Sequence, residues 1–375
     1  MAKNKRVKYL LVTDIPAPWR EKVYENVYRH FGDDFHVVYC NNNEKRRLWK
    51  FPLGNHPKTF LKTITITLNN SKENYLNFGI IPFILKHRPK IVVCFSLIPT
   101  AFITFALSKL IGAKIIVFAD AWAGRDMGIS WLQKLERKLA YGIVPDAYLG
   151  ASIQTLNMFR CYNKNVNNER LFISSLCADN DYFIKCLEGH TIHKKYDIMF
   201  SGRIVDLKNP KFFAEVAIKI KEKLGRCSVL IMGEGDAQLK ADMFGSFQAQ
   251  GIEYDFPGFI KHSELPGFYA QSKILLLPTS GDCWGVVINE AMISGVPVIT
   301  TNMTAAAGEL VLDGVNGHVL SLDADLWAEK ISDLLRDDEK LGSFSKAAYE
   351  TVLQFNFKNA AKGIIEAIQY TENNS

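Results

Sequence analysis

No Cys-x-x-Cys pair occurs in this chain of 375 residues, and its seven cysteines, Cys40, Cys94, Cys161, Cys177, Cys186, Cys227 and Cys283, lie scattered, several of them inside apolar runs. That distribution excludes a disulfide frame and a zinc site of paired thiolates, and reads as reduced core residues of a cytosolic protein. Long hydrophobic runs are missing too. The longest apolar stretch, Leu97 to Leu107, contains Pro99 and Thr100 and falls short of the roughly 20 residues that a bilayer span needs. The N-terminus is basic, but its apolar part is too short for a secretory leader and ends at Asp14. A complete Gly-x-Gly-x-x-Gly fingerprint is absent as well. Met232-Gly-Glu-Gly-Asp236 begins one without completing it and reads as a strand-to-helix turn with Asp236 as N-cap.

What is present is a globular composition, 48% hydrophobic and 22% charged, in a chain longer than one core usually accommodates. Two domains follow. Charge divides unevenly between the halves: residues 1–190 carry 27 Lys and Arg against 15 Asp and Glu, whereas residues 191–375 carry 18 against 24. A basic half beside an acidic half suits an anionic partner for the first domain, whether nucleic acid, a lipid diphosphate or an anionic membrane surface; solvated basic helices with no partner would look the same. No nucleic-acid-binding motif accompanies the charge.

Short apolar runs alternate with helical patterning from Val7–Val12 through Phe35–Cys40, Lys90–Phe95, Lys114–Ala119 and Ala147–Gly150, with helices expected after Trp19, around Tyr75–His87, from Pro99 and over Ile129–Tyr141. The second half repeats the scheme from Tyr196–Ser201 onward. Such alternation predicts βαβ units and parallel sheets: an α/β chain of two Rossmann-like, doubly wound domains facing each other across a cleft. The polar stretch Leu187 to Lys195 reads as the linker, giving domains over 1–187 and 188–355, with 356–375 as a last helix that packs back on the first domain.

Asp282 and Glu290 carry the strongest chemical signal. Ile274–Leu277 reads as a buried strand, Pro278–Asp282 as a turn and Gly285–Ser294 as a helix closed by Gly295. One carboxylate therefore precedes the helix and the other lies within it. Between them the first-turn amides at Gly285, Val286 and Val287, next to Trp284, can hold a phosphate while the acids reach hydroxyls on either side. That pattern describes a nucleotide-sugar site; an N-cap and a solvated glutamate would produce it too. Upstream, a strand ends at Ser201-Gly202 and is followed by Arg203 and Lys208, a fork donor and a point charge suited to a diphosphate. Both would strengthen their hold as a leaving group gains charge. Phe259 and Ile260 follow another strand, where backbone groups can read the edge of a base.

In the first domain, Trp19 and Arg20 follow the first strand, and Asp120, Trp122 and Arg125 follow the fourth. They belong to the acceptor rim, with Asp120 orienting a hydroxyl and Arg20 binding an anionic group, or else they serve as caps and loop ion pairs. Arg46 to Leu53 interleaves cations with Trp49 and Phe51, as a loop resting on a membrane interface or packed inward would. Asp179/Asp181 and Asp323/Asp325 read as structural, and no metal is expected.

Ser201-Gly-Arg203, Lys208-Asn209, Leu277-Pro-Thr279, Asp282-Cys-Trp-Gly285, Asn289-Glu-Ala-Met292, Gly295-Val-Pro-Val-Ile299 and Asn316-Gly317 together resemble the C-terminal half of glycosyltransferase family 4, retaining enzymes of the GT-B fold. Asp14 to Arg20, Ala147 to Gln154 and Ala178 to Phe183 look like the variant found in transferases for bacterial surface polysaccharide. The resemblance implies that Arg203 and Lys208 bind the donor diphosphate, Glu290 the ribose and Asp282 the transferred sugar. It also implies front-face substitution without a metal, and no cofactor beyond a nucleotide-sugar donor, UDP-linked by preference, GDP- or dTDP-linked otherwise. The implied partner is a glycan or lipid-linked oligosaccharide at the cytoplasmic face of a membrane, and nucleic acid is not implied. Three features depart from the family: Asp282 stands where glutamate is usual, Pro16-Ala-Pro18 replaces a glycine-rich loop, and Asp120 lies near the place of a histidine. A GT-B-like module that binds nucleotide or glycan without turnover is the rival reading.

Overall fold

The structure is a computed structural model that describes residues 7–44, 51–68, 72–95, 97–126 and 129–374. It divides into two compact units, residues 1–176 with 357–375 and residues 177–356.

The first unit opens with β1 (Tyr9–Thr13), whose five side chains are all buried, as a central parallel strand requires. Pro18 starts α1 (Pro18–Phe31), where its missing N–H costs nothing. β2 (Phe35–Tyr39), β3 (Lys58–Phe60), β4 (Ile64–Leu68), β5 (Lys72–Leu76), α2 (Ile80–His87), β6 (Ile91–Phe95), α3 (Pro99–Leu110), β7 (Lys114–Ala119), α4 (Trp131–Arg137), β8 (Ala147–Gly150), α5 (Ile153–Tyr162) and β9 (Leu171–Ile173) follow. Seven strands form one parallel sheet in the order β3-β2-β1-β6-β7-β8-β9, and β4 and β5 pair as a separate antiparallel hairpin.

The second unit comprises α6 (Asn180–Leu187), β10 (Tyr196–Ser201), α7 (Pro210–Leu224), β11 (Ser228–Met232), α8 (Ala237–Ala249), β12 (Glu253–Gly258), α9 (Leu265–Ala270), β13 (Ser272–Leu277), α10 (Val286–Ile293), β14 (Val298–Thr300), β15 (Gly317–Val319), α11 (Ala324–Arg336) and α12 (Asp338–Val352). Its sheet runs β12-β11-β10-β13-β14-β15, again with parallel pairing throughout. α13 (Phe357–Asn373) then returns to the first unit, against α1, β8 and β9. Each sheet has its own apolar core, Leu10, Val92 and Val117 among the buried residues of the first and Ile198, Ile231 and Leu276 among those of the second.

Strand order reverses between β1 and β6 in the first sheet and between β10 and β13 in the second. At such a switch point the flanking crossovers leave on opposite faces, and a crevice opens beyond the carboxyl ends of the two strands.

Three local expectations are corrected. The helix around Tyr75 begins only at Ile80, because Lys72–Leu76 pairs with Ile64–Leu68 as β5. The helix over Ile129–Tyr141 starts at Trp131 and widens after Arg137 into a π-helical turn over Lys138–Ile143. The division between units falls ahead of α6, which packs on α9 and α10, and so precedes the polar segment read as a linker.

Candidate functional site

The crevice of the second unit lies where β10 and β13 end. Ser201 closes β10, and Gly202 turns away at φ 137°, a value open to glycine. The strand after it crosses the turn after β11 at close range: Gly202 N donates to Met232 O at 3.0 Å and Ile204 N to Glu234 O at 3.0 Å. Only glycine fits beneath. A Cβ on Gly233 would stand 1.9 Å from Gly202 O, and one on Gly235 would stand 2.0 Å from Ile204 O. The turn Met232–Asp236 is therefore a bed for the Arg203 loop, and Asp236 caps α8 through Gln238 N and Leu239 N.

That loop is fastened to the one after β13. Asn209, held left-handed at φ 48° before Pro210, donates from Nδ2 to Pro278 O and to Ser280 Oγ, each at 2.7 Å. Thr279 Oγ1 and Ser280 N both donate to Leu207 O, at 3.1 and 2.9 Å. The two loops thus form one rigid lip carrying an exposed Arg203 and a half-buried Lys208.

Across the lip, Lys208 Nζ donates to Asp282 Oδ2 as an ion pair. The same carboxylate sits against the amino end of α10, 3.5 Å from the position a Cβ on Gly285 would take, and Oδ1 accepts from Trp284 N at 3.3 Å. Gly285 is left-handed at φ 83°, and no side chain caps α10. The helix therefore presents its first-turn amides, at Val286 and Val287, without intrahelical acceptors. One turn on, Glu290 accepts from Tyr269 Oη at 2.7 Å, and Tyr269 Oη in turn accepts from Ser201 Oγ at 2.7 Å. This chain of hydroxyls ties α10 to the end of β10. Burial raises the Glu290 carboxyl to about 7, with the Tyr269 hydrogen bond opposing, and pushes the Tyr269 hydroxyl well above its ordinary value. A cation, a helix amino end and two carboxylates together can seat an anion flanked by hydroxyl-bearing groups.

Arg203, Lys208, Asp282 and Glu290 thus gather at the ends of β10 and β13, with Gly202, Gly285, Val286 and Val287. Phe259, exposed, and Ile260, half-buried, lie just past β12 at the same end of the sheet. Trp284 differs from its expected place: its ring is fully buried against Phe355 with centroids 5.5 Å apart, and its indole N–H donates to Asn289 Oδ1 at 2.8 Å, so only its backbone faces the turn. The sequence assigns no role to Ser201, Asn209, Tyr269, Thr279 or Ser280, although Ser201, Asn209 and Thr279 lie within the motifs that carry the resemblance.

In the first unit Asp14 follows β1 and Asp120 follows β7. Burial raises the Asp14 carboxyl, and the nearby Asp120 charge adds to the shift. Arg20, expected on the rim, lies beneath it at 4% exposure: its guanidinium stacks 4.5 Å over Phe118 and donates to Ser174 O and Oγ at 3.1 and 3.0 Å. Its charge serves to join α1, β7 and the segment after β9. Trp19 is half-buried and Trp122 buried. The Arg125 side chain and residues 46–50 of the basic–aromatic loop lie outside the described residues. Asp179 and Asp323 are helix N-caps, of α6 and α11.

Residues 195–337 match the family model described as Glycosyl transferases group 1. The chain is 24% identical over 305 residues to sulfoquinovosyl transferase SQD2 of Arabidopsis thaliana, covering 76% of this chain and 57% of that protein. It is 28% identical over 139 residues to an uncharacterized 41.2 kDa protein in the cps region of Klebsiella pneumoniae, covering 37% of this chain and 36% of that one. The chain thus spans less than two thirds of the length of these relatives. Among solved structures, HepE of Anabaena in complex with UDP superposes with a TM-score of 0.73 at 14% identity, covering 96% and 99% of the two chains. Sucrose-phosphate synthase of Thermosynechococcus elongatus gives 0.73 at 14% identity, covering 99% and 100%. At those identities the likeness is one of fold: α/β, two Rossmann-like units, the GT-B class.

Proposed function

We propose, from the match of residues 195–337 to the family model of group 1 glycosyl transferases, that the chain moves a hexosyl or N-acetylhexosaminyl unit from a nucleotide diphosphate sugar to a hydroxyl of a lipid-linked glycan. The observation that carries this reading is the meeting of Lys208, Asp282 and Glu290 around the uncapped amino end of α10. Arg203, Lys208 and the α10 amides hold the diphosphate. Glu290 grips the ribose and Asp282 the transferred sugar. A UDP-linked donor is favoured by the UDP complex of HepE.

Lys208 and Asp282 satisfy each other as an ion pair. Donor entry redirects the lysine to phosphate oxygens and frees the carboxylate for sugar hydroxyls, so neither charge is left unpaired at any stage. In the transfer itself the anomeric carbon–oxygen bond to the diphosphate breaks. A bond to the acceptor oxygen forms on the same face, and the hydroxyl proton passes to the departing phosphate. Charge then grows on the oxygens that Arg203 and Lys208 hold, which lowers the barrier. Asp120 orients the acceptor hydroxyl. Surface polysaccharide synthesis is the setting, supported by the relative in the cps region.

Purified chain supplied with UDP-sugars and a set of lipid-linked acceptors should release UDP and yield a product with the donor's anomeric configuration, read by proton NMR coupling constants. Lys208→Ala and Glu290→Ala should each lower turnover by at least about a hundredfold. Tight UDP binding with no turnover on any acceptor would favour the rival module that binds without reacting; unchanged turnover in both variants would remove the site assignment.

A further inference from the structure

Tyr269 lies in α9 with its side chain fully buried, its ring 6.2 Å from that of Phe183 in α6, centroid to centroid. α9 packs on α6, α10 and β13. A phenylalanine would fill the same space, and a buried hydroxyl carries a penalty unless it finds partners. Here it has two. Ser201 Oγ, at the end of β10, donates to Tyr269 Oη at 2.7 Å, and Tyr269 Oη donates to Glu290 Oε2 in α10 at 2.7 Å. Three elements distant in the chain converge on one phenol.

Glu290 is thereby held at one oxygen. Among the described residues no donor meets Oε1, and that atom is not among those sealed from solvent, so it stays open to whatever enters the crevice. An ionised carboxylate offers about four acceptor positions, and the chain fills one of them. The rest suit a ligand that brings two donors side by side, as a ribose does with its vicinal hydroxyls. Burial favours the protonated form of Glu290, which fits an acid that still lacks donors. A glutamate left to swing about its several side-chain bonds would have to be ordered at the moment of binding; one already fastened at Oε2 has been ordered by the fold.

We propose that Ser201 and Tyr269 are positioning residues for nucleotide recognition: the relay from Ser201 Oγ through Tyr269 Oη fixes Oε2 of Glu290 and aims Oε1 at the two ribose hydroxyls of the donor. The relay rests on the assignment of Glu290 to the ribose. It adds that the diol is read only while the phenol holds the acid.

Calorimetric titration of the full chain with UDP, and with the dideoxyribose analogue of UDP that lacks both ribose hydroxyls, tests it. The parent is expected to favour UDP by about thirtyfold, the worth of hydrogen bonds to a charged acceptor. Tyr269→Phe keeps the ring and should cut that preference to about threefold, with affinity for the dideoxy analogue within about twofold of the parent's. Ser201→Ala should give an intermediate preference, because the phenol keeps its bond to Glu290 and loses its own anchor. A role in packing alone would lower both affinities together and leave their ratio intact. The parent's ratio retained in Tyr269→Phe would overturn the relay, and so would the parent's ratio in Ser201→Ala, which decides the matter should Tyr269→Phe fail to fold. A parent that does not distinguish the two nucleotides would instead remove Glu290 from the ribose, and the relay would fall with that assignment.

Discussion

Burial lifts the Glu290 carboxyl from 4.5 to about 7, and Tyr269, which donates to it, only moderates the rise. The folded chain therefore holds a proton over a range in which the unfolded chain has released it. Stability tied to that proton is whole below pH 4.5 and is lost as pH climbs to about 7, by about 3 kcal/mol in all. Above that range the ionised acid is a cost that the fold carries. Glu290→Gln keeps the acceptor for Tyr269 and removes the charge. Calorimetry should show it more stable than the parent at pH 8 by up to about 3 kcal/mol, with the difference gone at pH 5. Nucleotide affinity should fall in the same protein. A variant no more stable at pH 8 would mean that the carboxyl is solvated. Asp282 and Glu290 stand out in the chain because they lie within nine residues, one just ahead of a short helix and the other inside it. Tyr269 and Ser201 do not, since their hydroxyl chain links residues far apart in sequence and leaves no periodicity to detect.

Loops at the ends of strands, more than the strands themselves, decide the geometry of the second unit. Gly233 sits at φ 132° with Gly202 O where its Cβ would be. Gly233→Ala forces the turn after β11 away from the Arg203 loop, breaking the 3.0 Å bond between Gly202 N and Met232 O. Loss of several kcal/mol is expected, read as a drop of about 10 °C or more in the melting of the second unit and loss of nucleotide binding. Ordinary stability in that variant would show that the two turns can separate. The parallel strands β10, β11 and β13 are apolar on both faces and announce themselves as continuous runs. β3, β4 and β5 do not: Lys58–Phe60 is short, and Lys72–Leu76 is polar enough that Tyr75 reads as the start of the following helix. Pairing with a neighbouring strand makes them strands, and pairing is invisible in a linear sequence. Arg20 shows the same limit, because a cation at the end of a strand reads as a rim residue until its ring partner Phe118 is placed beneath it.

At the scale of the whole chain, the first unit is discontinuous. Its last element, α13, lies on α1, β8 and β9, and contact is close enough that a Cβ on Gly363 would stand 1.7 Å from Ile173 O. Gly363→Val should therefore lift α13 from the first sheet. Limited proteolysis should then cut within the first unit at low temperature, while residues 177–356 keep their protection and still bind nucleotide. Simultaneous loss of both would mean that the units melt as one.

That return carries a consequence for the order of biosynthesis. A ribosome delivers residues 177–356 complete before the helix that finishes the earlier lobe has emerged, and at about 5–20 residues per second β9 waits on the order of ten to forty seconds for it. The later lobe matures first. Nascent α1, β8 and β9 meanwhile expose an uncovered apolar flank, which makes the growing polypeptide a client for chaperones during that interval and places a hazard of misassembly before α13 has emerged.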